Sequence, residues 1–303
     1  MKIFILLILY LSLNSDELIK PIPQQIDVNY NKVELGRKLF FDKRLSRKDT
    51  ISCYSCHDLS HGGTNTIKPS IGANTKTVNT NIPTVFNSVY NTAQFWDGRA
   101  KTLKEQVRVS LLVHEKIAGD ENAIIMKLSE DSYYETKFEG LYPEGITLDT
   151  ISDAIAEFEK TLITPNSKFD LYLKGEISSL TQAEKDGYTL FKNLGCISCH
   201  NGINIGSNMF QKFGIFNKPK ISFNNLGRFN VTKNENDKYY FKVPTLRNIE
   251  KTAPYFHDGS ARTLKKAVKI MGYYQLGQNL TQNEIQKIIS FLRTLTGELP
   301  KYK

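Results

Sequence analysis

The sequence predicts an all-α protein built from two related units in tandem, with long irregular loops. Three observations carry that expectation. The phrase "FWDGRAKTLKEQV" (95–107) returns as "FHDGSARTLKKAV" (256–268), apolar residues recur at helical spacing in both halves, and two helix starts share one capping device. The repeat is wider than the phrase. "IPTVFNSVYNTAQFWDG" (82–98) aligns without gaps on "VPTLRNIEKTAPYFHDG" (243–259), and "GRKLFF" (36–41) is echoed by "GYTLFK" (187–192).

Each element has its own signal. "TLDTISDAIAEFEKTL" (147–162) puts Leu148, Ile151, Ile155, Phe158 and Leu162 on one face of a helix. "TQAEKDGYTLF" opens on a capping box of Thr181 and Glu184, and "TQNEIQKIISFLRTLTG" repeats it with Thr281 and Glu284. The second runs through Ile285, Ile288, Ile289, Leu292 and Leu295 to Gly297. These stripes form cores. The shared "DG…TLK" phrase reads as a turn followed by a helix start. "TPNSKFDLYLKG" (164–175) reads as the crossing between halves, and the polar "NKPKISFNNLGRFNVTKNEND" (217–237) as an irregular loop.

Length and composition set bounds. The 303 residues suffice for two domains with separate cores, which the repeat divides at 16–165 and 166–303. The opening "MKIFILLILYLSLNS" (1–15) has an apolar run too short to span a bilayer and reads as a signal peptide, an uncleaved anchor being the alternative. Export to the periplasm follows. The net charge of +9 is spread over many lysines with no basic stripe, which speaks against nucleic acid and only mildly for acidic partners.

The four cysteines fall as "CYSCH" (53–57) and "CISCH" (196–200). C-x-x-C-H is the pattern of covalent c-type heme attachment. Two thiols three residues apart on a helical turn each add to one vinyl group, and the next residue offers its imidazole to the iron. Cys53, Cys56, Cys196 and Cys199 thus attach two covalently bound hemes c, with His57 and His200 as proximal ligands. A zinc site would use four thiolates but leave both histidines without a purpose; a disulfide within each pair is the other alternative in an oxidising compartment.

The halves differ where the sixth iron ligand would come from. Thirteen residues after Asp258 stands Met271, a thioether that raises a heme's potential; thirteen after Asp97 stands Ser110, which cannot ligate. A core-filling role is the alternative for Met271.

These motifs, in order, resemble the bacterial di-heme cytochrome c peroxidases of the superfamily that includes MauG-type enzymes. The residues that carry the resemblance are "LGRKLFFDKRLS", "ISCYSCHDLSHGG", "PTVFNSVYNTAQFWDGRAKTLKEQ", "GCISCHNG", "LRNIEKTAPYFHDG" and "MGYYQLG". The resemblance implies two cytochrome c-like heme domains in tandem. It makes His200 and Met271 the ligands of a high-potential heme fed by a small cytochrome c or similar donor. It makes His57 the ligand of the heme where hydrogen peroxide reacts, and sets Trp96, the single tryptophan, between the two. It also implies a calcium ion held by Asn81 and the carbonyls of Thr252 and Pro254, and a homodimer. His257 occupies the slot of Trp96 in the second copy and reads as a core residue.

The sequence departs from the family pattern at two places. The histidine of "S-[IV]-G-H", which caps the peroxidatic iron of many relatives at rest, is Ala73 here. The first iron is then expected to be open without reductive activation, His114 and His61 being the alternative ligands. The family's acid–base glutamate falls in register on Lys116, with Glu115 beside it in "LVHEKIAG"; Glu115 is the expected catalytic group. Two other functions fit less well. A MauG-like enzyme oxidising side chains of a partner protein is expected to carry tyrosine at Met271, and a non-catalytic di-heme electron-transfer or sensor protein would need no open iron.

Overall fold

A computed structural model describes residues 17–65, 70–71, 77–78, 80–112, 120–219 and 225–302. The segment read as a signal peptide, 1–15, lies outside them, and among the described residues no helix is long and apolar enough to cross a membrane.

The first half holds α1 (Tyr30–Phe41), α2 (Leu103–Leu112), α3 (Glu121–Ser129), α4 (Ser132–Leu141) and α5 (Leu148–Lys160). They enclose one apolar core. Leu148, Ile151, Ile155, Phe158 and Leu162 are all buried, as the periodicity requires, against Leu35, Leu39 and Phe40 of α1. Each such side chain contributes about 1.5–3 kcal/mol on burial. The α1–α5 crossing is close because Gly36 rests on the backbone of Ala154.

The second half holds α6 (Lys168–Leu173), α7 (Gln182–Asn193), α8 (Phe229–Thr232), α9 (Leu264–Leu276) and α10 (Gln282–Arg293). Both expected capping boxes are formed: the Thr181 and Thr281 hydroxyls accept from the backbone of Glu184 and Glu284, whose carboxylates reach back to the cap amides. The stripe of α10 is buried against α7, and here Gly187 rests on the backbone of Lys287, as Gly36 does on Ala154.

Three details differ from expectation. The crossing at 164–175 contains α6, started by a Ser167–Asp170 capping box. The chain is mostly rather than wholly helical: β1 (Ser70–Ile71) pairs with β2 (Thr77–Val78), and β3 (Phe210–Lys212) pairs antiparallel with β4 (Tyr240–Lys242). The second ladder forms because aromatic residues with strand preference flank the polar 217–237 insertion on both sides. That insertion is itself not wholly irregular, since α8 lies within it.

Candidate active site

The sequence repeat reappears as repeated hydrogen bonding. The first motif closes one turn, with His57 N donating to Cys53 O at 2.9 Å; in the second, His200 N donates to Cys196 O at 3.0 Å. Each imidazole is then aimed by a carbonyl. His57 Nδ1 lies 3.2 Å from Gly63 O, and His200 Nδ1 lies 3.3 Å from Ile205 O. A carbonyl can only accept, so Nδ1 carries a proton, and in the neutral ring Nε2 is left as the nitrogen that can bind iron. Burial pushes His200 down to about 4, which keeps the ring neutral. The carbonyl loops are held alike. Thr84 Oγ1 donates to Gly62 O at 2.6 Å, and Thr245 Oγ1 to Asn204 O at 2.8 Å. Behind them, Gly206 has φ +129° and a Cβ there would strike Pro244 O at 2.2 Å.

The two histidines face separate cavities. Cys53, Cys56, His57, Gln106 and Ser110 line the first. Cys196, Cys199, His200 and Met271 line the second, about 460 Å³ in volume. Met271 is brought there by α9, which begins after the "DG" turn at the cap Thr263; α2 brings Ser110 to the first cavity by the same route. So the thioether shares a cavity with His200, and a hydroxyl stands in the corresponding place near His57. No disulfide joins the cysteines. Their division between two cavities also denies them a shared zinc tetrahedron.

Trp96 lines both cavities. Its indole Nε1 donates to Asn81 O at 2.8 Å, and its own carbonyl accepts from Lys242 N at 2.8 Å. The ring is thereby fixed in the wall between the sites. His257 is buried beside it, stacked on Phe241 with ring centres 4.0 Å apart. Asn81 Nδ2 donates to Pro254 O at 2.6 Å and to Phe256 O at 3.1 Å, and Thr252 lines the same cavity. His61 is apart from either cavity: its side chain is 70 % exposed and its Nδ1 pairs with Asp58 Oδ2 at 2.8 Å. Glu115, Lys116, His114 and Ala73 lie outside the described residues.

Two ionisable residues in the walls escaped the sequence reading. Glu159 lines the first cavity, 3 % exposed, with Oε2 lacking any hydrogen bond among the described residues. Burial alone pushes its carboxyl up to about 8. Its spacing was a signal: Ile151, Ile155 and Glu159 follow at i, i+4 and i+8, so a carboxylate sits within the apolar stripe. Lys242 lines the second cavity, 8 % exposed, and burial pushes its ammonium down to about 8.

Paired cysteines on a turn, a carbonyl-oriented histidine after each and an apolar cavity before each fit covalently held heme. The site and fold therefore define a c-type heme protein with two heme positions. Comparison with known proteins narrows the class. Residues 30–178 match the family model "Di-haem cytochrome c peroxidase" and residues 184–296 match "Cytochrome c". The chain is 46 % identical to cytochrome c551 peroxidase of Nitrosomonas europaea, over 95 % of this chain and 87 % of that one. It is also 46 % identical to cytochrome c peroxidase Ccp of Escherichia coli, over 95 % of this chain and 63 % of that protein. A solved MauG-like protein associated with microbial copper homeostasis is more distant, at 28 % identity, with a TM-score of 0.82 over 92 % of this chain and 93 % of that one. The chain belongs to the di-heme cytochrome c peroxidase family, whose members are oxidoreductases.

Proposed function

We propose that the protein reduces hydrogen peroxide to water with electrons from a small c-type cytochrome or similar donor, in the periplasm and as a homodimer. The observation that supports this most is the asymmetry around Trp96: one tryptophan borders both cavities, Met271 borders only that of His200, and Ser110 borders only that of His57. On this reading residues 16–165 and 166–303 are tandem heme domains, with 1–15 removed as a signal peptide.

When bound at His57, the heme supplies an iron open to peroxide. His57 and His200, oriented by Gly63 O and Ile205 O, would each hold a heme iron through Nε2. Met271 would supply a thioether ligand to a heme held at His200, which suits that heme to one-electron exchange. Trp96 gives the electron route a rigid aromatic step. Glu115 would accept the proton of the near peroxide oxygen and return one to the far oxygen; with two electrons from the donor cytochrome and two protons from solvent, both oxygens leave as water. Because position 73 is alanine, the histidine that caps this iron in many relatives is absent there, and the enzyme would need no activation by prior reduction. A calcium ion would be held beside Trp96 by Asn81 and the carbonyls of Thr252 and Pro254; the Asn81 amide already meets Pro254 O, and turned to present its oxygen it would supply a donor of the kind a hard cation takes.

The test is steady-state oxidation of a reduced c-type cytochrome by peroxide. Wild type is expected to turn over as isolated. Glu115→Gln is expected to lose at least a hundredfold in rate, the usual worth of positioned proton transfer being about 10²–10⁴, with both hemes still attached by intact mass. An unchanged rate removes Glu115 from the mechanism.

A further inference from the structure

Lys242 ends β4 in the wall of the His200 cavity. Its place is fixed by the backbone: its N–H donates to Trp96 O at 2.8 Å, and the next residue, Val243, donates to Met209 O at 3.0 Å. The ammonium has one weak contact among the described residues, Ser207 Oγ at 3.4 Å, and no carboxylate comes within ion-pairing distance of it there. The other buried cation of this half is treated differently. Arg247, 1 % exposed, holds Asp170 at 2.7 Å. A charge taken out of water without a partner is costly enough that proteins pair it or neutralise it. Either Lys242 gives up its proton, or its anion arrives with whatever fills the cavity. Heme carries two propionate groups, and this cavity contains both cysteines and the histidine of the second attachment motif.

We propose that Lys242 is a positioning residue that pairs with a propionate of the heme attached at Cys196 and Cys199, holding that edge of the heme beside Trp96 and raising its reduction potential. The inference rests on the reading that heme is bound there. A fixed positive charge next to the heme opposes the additional charge of ferric iron, so its removal favours the oxidised form. Ser207 Oγ, on the same ammonium, steadies it in place.

The experiment compares wild type with Lys242→Met, Lys242→Gln and Lys242→Arg, all expressed with heme attached. Intact mass first counts the hemes; a wild-type chain with no heme on Cys196 and Cys199 overturns both the inference and the reading beneath it. Redox titration then follows the higher-potential step. At the wild-type midpoint, Lys242→Met and Lys242→Gln are expected to shift the ferric-to-ferrous ratio at least tenfold toward ferric, equivalent to about 59 mV for one electron, while Lys242→Arg stays within twofold. If both neutral variants lose the second heme and Lys242→Arg keeps it, the requirement for charge is equally met. With both hemes attached, a wild-type potential in Lys242→Met and Lys242→Gln overturns the inference. So does retention of the second heme by the neutral variants when Lys242→Arg loses it.

Discussion

Replacing Gly36 with alanine tests the close crossing on which the first heme unit is built. A Cβ at position 36 would lie 1.8 Å from Ala154 O, 2.5 Å from Ala154 C and 3.0 Å from Phe158 Cβ. Ordinary contact begins near 3.4 Å, so α1 and α5 must part by about 1.6 Å, and both contacting carbonyl atoms belong to a helix backbone that cannot rotate away. Two effects oppose each other. Alanine is the better helix former by about 1 kcal/mol, whereas overpacking a core costs typically about 1–3 kcal/mol and occasionally more. A backbone clash this short belongs at the upper end, which leaves a net loss of about 2 kcal/mol. With a urea m-value of about 2 kcal/mol/M, the unfolding midpoint should fall by about 1 M. Gly140, also in a helix, provides the control: a Cβ there meets nothing within 4 Å, so Gly140→Ala should gain the propensity term and rise by a few tenths molar. The assay is urea unfolding followed by far-UV circular dichroism. A Gly36→Ala midpoint at or above wild type would refute the steric argument. Gly187→Ala, whose Cβ would meet Lys287 O at 2.1 Å, should repeat the loss in the second unit.

Two further changes probe buried charge. Arg247→Met leaves Asp170 buried without its cation, held among the described residues by Ile22 N at 3.2 Å and by Ser167; a loss of about 3–5 kcal/mol is expected in the same unfolding assay, and a loss below 1 kcal/mol would contradict it. Glu159 has its carboxyl raised from 4.5 to about 8 by burial, so between those values the unfolded chain is deprotonated while the folded one keeps the proton. Stability should therefore fall as pH climbs through that window, by up to about 1.4 kcal/mol per pH unit, and level off above it. Glu159→Gln should remove that slope, as a series of unfolding midpoints against pH would reveal; the same slope in the glutamine variant would assign it elsewhere.

Much of this organisation was legible because duplication fixes spacing. Once Cys53–His57 and Cys196–His200 were aligned with the "DG" phrases, the positions of Met271 and Ser110 in opposite cavities followed from helix length alone. The faces of α5 and α10 were equally plain, since their apolar residues recur at helical period. What escaped were single polar residues whose partners are distant in sequence. Lys242 looks like an ordinary surface charge until tertiary packing closes over it, and Glu159 is marked only by its place in the apolar stripe of α5. Short elements also escaped: α6 follows a proline, and β3 and β4 are three residues each, too brief for periodicity to register. Glu115 and Ala73, which set the expected chemistry at the first iron, fall outside the described residues.

Peroxide reduction by this chain requires one iron closed by Met271 and another left open at His57. An electron paramagnetic resonance spectrum of the fully oxidised protein as isolated tests this most directly. It should contain a low-spin ferric signal and a high-spin ferric signal in comparable amounts, the second altered by a small anion that binds open iron. Low-spin signals alone, unchanged by such an anion and persisting after half-reduction, would contradict the account.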